Sequence, residues 1–153
     1  MNVLRRHDTV SRGKKVDNGV HKRVRSPAME RVLGVGGIFF KAKDPAKLKA
    51  WYRDHLGVPA DEHGETMFPT EGDPGPCLVW APFPADTKYF EPSKAAFMIN
   101  FRVKDLRAML AQLRAAGAAV DDKVLEESYG KFGWVMDPEG NRIELWEPPA
   151  SSG

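Results

Sequence analysis

Residues 40–44 read Phe-Lys-Ala-Lys-Asp, and residues 101–105, 61 positions later, read Phe-Arg-Val-Lys-Asp. Each run closes a β-forming stretch, GVGGIFFKAK over 34–43 and FMINFRVK over 97–104. Asp is a preferred N-cap because its carboxylate accepts the free N–H groups of a first helical turn. Asp44 is followed by Pro45, favoured at the first helical position. Beyond Asp44, the residues Leu48, Trp51, Tyr52 and Leu56 recur at helical spacing until Gly57. Beyond Asp105, Leu106, Met109, Leu110 and Leu113 do the same until Gly117. Apolar residues at this spacing form one helix face, and glycine suits the residue after a helix end. Trp51 and Tyr52 are expected in the core.

The unit ends correspond as well. GPCLVWAP over 75–82 aligns with NRIELWEP over 141–148 at an offset of 66. The second unit closes with a hairpin: Phe132–Met136, then Asp137-Pro138-Glu139-Gly140, then Asn141–Trp146. Pro at the second and Gly at the fourth turn position suit a type I turn. Self-similarity at a fixed period marks duplicated architecture. The pattern predicts an α+β fold of two tandem βαβββ modules, over about 32–83 and 95–149. A Pro- and charge-rich linker at about 84–94 joins them into a single domain over 29–150.

Composition agrees with one folded domain. The chain has 153 residues, 42% of them hydrophobic, with 23 Lys+Arg against 21 Asp+Glu. That length supplies a core able to fold unaided. No apolar run approaches the roughly 20 residues that span a bilayer, so no membrane partner is expected. The single cysteine, Cys77, excludes an internal disulfide framework and a multi-cysteine zinc site, and fits a reduced, cytoplasmic setting. Residues 1–28 differ from the rest, with eight basic groups, two acidic ones and no aromatic residue. Such a segment buries too little apolar surface to fold, and a disordered tail is expected, or coding sequence upstream of a start at Met29. A basic arm can bind phosphates, but nucleic acid is not the expected partner.

The runs FFKAKDPAKLKAWYRDHLGV, INFRVKDLRAMLAQLRAAGAAV and FGWVMDPEGNRIELWEP together resemble the vicinal oxygen chelate superfamily, the glyoxalase, bleomycin-resistance and dioxygenase-like proteins. The resemblance covers Val32–Pro149. It implies a curved mixed sheet from each module, the two facing one another around a ligand cavity, often in a homodimer. Metal-dependent members carry one ligand on the first and one on the last strand of each module. The equivalent positions here are Gly37, Leu78, Met98 and Glu144, so only Glu144 offers a donor suited to the family's divalent ions. No cofactor is expected. The alternative is a divalent metal held by Glu144 with a non-standard partner such as His63. His55, late in the first helix, is read as a cation beside the helix C-terminus.

Strand alternation then selects the cavity face. It places Phe39 and Trp80 in module one, with Met98, Asn100, Arg102, Arg142, Glu144 and Trp146 in module two. Tyr129, Phe132 and Trp134 can add to it. Apolar walls with a few orienting polar groups are what small-molecule pockets use. Simpler readings exist: Glu144 in a salt bridge with Arg142 or Arg102, Met98 as core, Trp80 and Trp146 as packing residues, Gly37 as a strand bend. No nucleophile elbow, P-loop or dinucleotide fingerprint is present, and Cys77 reads as a structural thiol. Two functions stand: a metal-free binder of a small amphipathic or aromatic molecule, with Glu144 as the candidate catalytic group should it act on one, or a metal-dependent lyase, isomerase or dioxygenase of the glyoxalase type.

Overall fold

Both capping aspartates start helices. The Asp44 Oδ1 accepts the Lys47 N–H at 2.9 Å and opens helix α1 (Pro45–Leu56). Gly57 closes it in the left-handed region at φ 64°, donating its N–H to Arg53. The Asp105 Oδ1 accepts the Ala108 N–H at 2.9 Å and opens α2 (Leu106–Ala115). A second carboxylate serves the same end, Glu147 Oε2 accepting the Leu106 N–H at 2.8 Å. The computed structural model describes residues 29–59, 66–69 and 77–150. The tail over 1–28, and His63, lie outside the described residues.

Seven strands form one mixed sheet: β1 (Val32–Ala42), β2 (Thr66–Pro69), β3 (Cys77–Pro84), β4 (Phe97–Val103), β5 (Ala119–Glu127), β6 (Gly130–Met136) and β7 (Arg142–Glu147), in the order β2-β3-β1-β4-β7-β6-β5. The duplication is visible in this order. Each module pairs its first strand in parallel with its last, β1 with β3 and β4 with β7. The two first strands pair antiparallel with each other and make the centre of the sheet. Copy two is the full βαβββ unit. Copy one shows three strands among the described residues, and part of the stretch that would match β5 lies outside them.

One face of the sheet carries the helices. Under α2, the residues Leu106, Met109 and Leu110 pack on Val103, Val135 and Leu145. Removing such side chains from water supplies about 1.5–3 kcal/mol each. Helix α1 is seated differently and has no buried residue. Tyr52 packs on Trp80 with ring centroids 4.6 Å apart, but Trp51 is 48% exposed and stacks on His55. The expectation that Trp51 is core is corrected: at its register the helix has turned the indole outward. The His55 Nδ1 lies 2.9 Å from the Trp51 carbonyl, near the helix end.

The opposite, inner face is closed by a second core. Phe39, Phe90, Met98 and Trp134 pack together, with Val79, Ala81, Phe83, Leu125 and Phe132 around them. These residues come from both halves of the sheet and from the loop between β3 and β4. That loop is therefore more than the spacer its Pro and charge content suggested. Phe90 is fully buried, and the Glu91 carbonyl accepts a hydrogen bond from Arg142 on β7.

Candidate functional site

Glu144 sits at the middle of β7, opposite Asn100 on β4 and Trp134 on β6. Strand alternation sends Ile143 and Leu145 to the helix side and leaves Glu144 on the inner face, 1% exposed. A carboxylate taken out of water needs donors, and it has three. Asn100 Nδ2 donates to Oε1 at 2.8 Å, and Trp134 Nε1 donates to Oε2 at 2.9 Å. The Tyr89 hydroxyl, from the inter-module loop, donates to Oε2 as well. Burial pushes the Glu144 carboxyl above its ordinary range, and the three hydrogen bonds and nearby Arg142 pull the other way. The Tyr89 phenol is pushed far up by burial first and by the Glu144 charge second, so it stays protonated and donates.

The Tyr89 ring lies parallel to Phe83, with centroids 5.4 Å apart at 9°, and meets Trp134 edge-on at 6.1 Å and 90°. Stacked and edge-to-face pairs of this kind are favourable beyond their burial. Arg142 covers Trp134, its guanidinium carbon 5.1 Å from the ring centroid, and its Nη2 pairs with Asp121 at 2.9 Å. The salt-bridge alternative for Glu144 is not what forms. Its partners are neutral donors.

The sequence-predicted residues separate into groups. Asn100, Trp134 and Glu144 come together. Phe39 and Met98 are also on the inner face, but sealed in the core under Phe90. Trp146 stacks on Phe132 at 6.3 Å and 5°, and donates to the Tyr129 carbonyl at 3.0 Å. The Tyr129 side chain itself is exposed and touches Phe132. Arg102 lies across β1, where Gly34 and Gly36 have no side chains to bar it. Its Nε and the Asn100 Oδ1 are buried with no hydrogen-bond partner among the described residues. Trp80 is misplaced by the sequence reading. It packs on Phe40 and Tyr52, under α1, on the far side of the sheet. Strand pairing gives the cause. Asn100 is opposite Glu144 and Phe39 is opposite Ala81, so the repeat equivalent of Glu144 is Ala81, at an offset of 63. The matched Trp-x-Pro runs suggested 66, and an odd slip of three turns each side chain to the other face. Tyr89, Phe83 and Phe90 were missed. The signal was present as two adjacent aromatics inside a polar linker.

Strand register moves the positions that the resemblance implies for metal ligands to Gly37, Ala81, Met98 and Glu144. A thioether, a methyl group and a hydrogen atom give no hard donor. The groups that do surround Glu144 are N–H and O–H donors already aimed at both of its oxygens, and an indole N–H cannot ligate. Among the described residues no group of three or more His, Cys, Asp or Glu is placed to hold a metal. The described residues at these positions do not fit a divalent ion. No helix among the described residues is long and apolar enough to cross a membrane.

Comparison with solved structures finds the same architecture. Methylmalonyl-CoA epimerase from Mycobacterium tuberculosis matches at 23% identity and a TM-score of 0.55, over 82% of this chain and 95% of that one. A variant of Streptomyces coelicolor methylmalonyl-CoA epimerase in complex with 2-nitronate-propionyl-CoA matches at 18% identity and 0.59, over 80% and 99%. A glyoxalase/bleomycin resistance protein/dioxygenase superfamily member from Vibrio splendidus 12B01 matches at 14% identity and 0.50, over 77% and 98%. Likeness at these identities is likeness of fold. No curated protein matches. Residues 37–146, from the middle of β1 to the last-strand tryptophan, match the glyoxalase-like domain, and the chain belongs to that family within the vicinal oxygen chelate superfamily.

Proposed function

We propose that this chain binds a small amphipathic or aromatic molecule on the inner face of its sheet without a metal ion, with the Glu144 carboxyl as the polar anchor. The observation that carries this reading is the environment of Glu144: buried, and satisfied by Tyr89, Asn100 and Trp134, while the positions that strand register makes equivalent, Gly37, Ala81 and Met98, supply no ligand. Aromatic walls with one anchoring acid and few other polar groups describe a binding site. The alternative metal-dependent enzyme needs a partner for Glu144, and His63, the sequence candidate, lies outside the described residues. The homodimer expected from the resemblance has its own support. Val35, Ile38 and Phe97 are exposed on the helix-bearing face of the central strands, between the two helices. Size-exclusion chromatography with light scattering tests it.

The function is tested by titrating a panel of aromatic acids, phenols and amphipathic carboxylates by calorimetry, with EDTA and then with zinc, nickel, manganese or iron(II). Binding is expected in EDTA, and Glu144→Gln should weaken it by about tenfold or more, as loss of a charged hydrogen-bond acceptor does. Binding that appears only with about one ion per chain, and vanishes in Glu144→Ala, overturns this reading in favour of the metal-dependent enzyme.

A further inference from the structure

The structure assigns the slot now holding the Tyr89 ring as a binding site for a neutral aryl alcohol, a phenol in its simplest form, with Tyr89 as the built-in occupant. This deepens the reading above and rests on Glu144 as the anchor. Three features carry it. The walls belong to strands rather than to the loop: Phe83 on β3 stacks with the ring, and Trp134 on β6 meets it edge-on. The acceptor at the end of the slot is likewise on a strand, and Asn100 and Trp134 hold Glu144 in place independently of Tyr89. The occupant sits on the loop and at the mouth. Tyr89 is 37% exposed, whereas the next residue, Phe90, is fully buried.

These differences set what can leave. Phe90 and the Arg142 bond to the Glu91 carbonyl fix the loop to the sheet. Swinging the Tyr89 ring outward breaks one hydrogen bond and three ring contacts, with Phe83, Phe90 and Trp134, and leaves Phe90 packed in the inner core. The vacated space is shaped for a six-membered aromatic ring with a hydroxyl at its far end. Apolar cavities of about 150 Å³ take up benzene-sized rings, and a hydroxyl donating to Glu144 adds a charge-assisted bond that a plain hydrocarbon cannot make. An anionic ring substituent at that end would face the Glu144 carboxylate, so a benzoate entering carboxylate-first is disfavoured. The free ligand competes with Tyr89, and its apparent affinity falls by the fraction of chains whose slot is open.

The test uses the full chain and p-cresol, the tyrosine side chain as a free molecule. In Tyr89→Ala the slot is open, and calorimetry should give a Kd on the order of 0.1 mM, within reach of a ligand this small. Toluene, of the same shape but with no hydroxyl, should bind at least about tenfold more weakly. The wild-type chain should bind p-cresol more weakly than Tyr89→Ala does. Any one of three results overturns the proposal: a folded Tyr89→Ala chain that ignores p-cresol, one that takes toluene equally well, or a wild type that binds as tightly as the variant. Should Tyr89→Ala fail to fold, tyrosine labelled with carbon-13 at Cζ reports on the wild type. The chain has three tyrosines, and the signal absent from Tyr89→Phe must shift in excess p-cresol while those of Tyr52 and Tyr129 hold; an unmoved signal overturns the proposal. Panel ligands that bind wild type and Tyr89→Ala equally, yet are lost in Glu144→Gln, would sink this inference and leave the wider binding function standing.

Discussion

The Tyr89 hydroxyl and the Glu144 carboxylate are hydrogen-bonded across 55 positions of sequence, tying the inter-module loop to the last strand of the sheet. The bond joins the part of the chain that looks like a spacer to Glu144, the one buried acidic group among the described residues.

Tyr89→Phe keeps the ring contacts with Phe83, Phe90 and Trp134 and removes only this bond. Hydrogen bonds to charged groups contribute about 1.5–3 kcal/mol when buried, and less where water can substitute. With Tyr89 partly exposed, a loss of about 1–2 kcal/mol in urea-unfolding free energy is expected. Phe90→Ala, which empties the centre of the inner core, should cost about 3–5 kcal/mol. A larger loss from Tyr89→Phe than from Phe90→Ala would mean that the loop is held by its tyrosine rather than by burial.

The pH dependence of stability follows from Glu144. Burial raises its folded value above the ordinary 4.5. The folded chain therefore keeps a proton that the unfolded chain has given up. Stability from this group is complete below the unfolded value and is lost as pH rises through the folded one. Glu144→Gln cannot titrate, so the wild type's stability relative to this variant should fall as pH rises from 4.5. Urea titrations of both chains between about pH 4 and 8 read the difference. A difference that grows with pH would show that the three donors outweigh burial.

Two glycines at positive φ should behave differently. Gly130 has φ +134°, and a methyl group there would lie 2.5 Å from the Glu147 carbonyl and 2.3 Å from the Trp146 Nε1. Gly130→Ala should cost about 3 kcal/mol or more, since backbone strain and overpacking add. Gly140, at φ +79° in the β6–β7 turn, has open space around it. Gly140→Ala should cost about 1 kcal/mol, the left-handed penalty alone. Thermal unfolding of the pair separates the two contributions.

The capping aspartates make the same 2.9 Å bond, yet their removal should not cost the same. Asp105→Ala loosens a helix that buries Leu106, Met109 and Leu110, so global stability should fall by about 1 kcal/mol. Helix α1 buries no residue, and Asp44→Ala should show as faster amide exchange confined to 45–56 with a smaller global effect. Equal global losses would indicate that α1 is as firmly seated as α2.

Local chemistry made much of this fold legible. Asp44, Asp105 and Gly57 mark helix ends because caps act through their immediate neighbours, and they did so here. Asp137 likewise accepts the N–H groups of Glu139 and Asn141, turning the chain between β6 and β7. Pairing across the sheet is not local. Whether Leu78 or Ala81 stands where Glu144 stands depends on strand register, which the Trp-x-Pro match could not report, and Trp80 was sent to the wrong face for that reason. Tyr89 was illegible for a related cause. Apart from Phe90, its neighbours in sequence are Pro, Ala, Asp, Thr, Lys and Glu, whereas its neighbours in space include Phe83, Trp134 and Glu144, and composition describes only the first set.

The antiparallel pairing of β1 with β4 has a consequence for either half alone. Each module's first strand hides the other's open hydrogen-bonding edge, with Ile38 beside Ile99 and Phe40 beside Phe97. A half-molecule would present that row of unpaired backbone groups, flanked by apolar side chains, to any other chain. Exposed edges of this composition recruit strands indiscriminately. The two copies thus act as each other's protection against aggregation, a constraint that holds both in one chain whatever each contributes to binding.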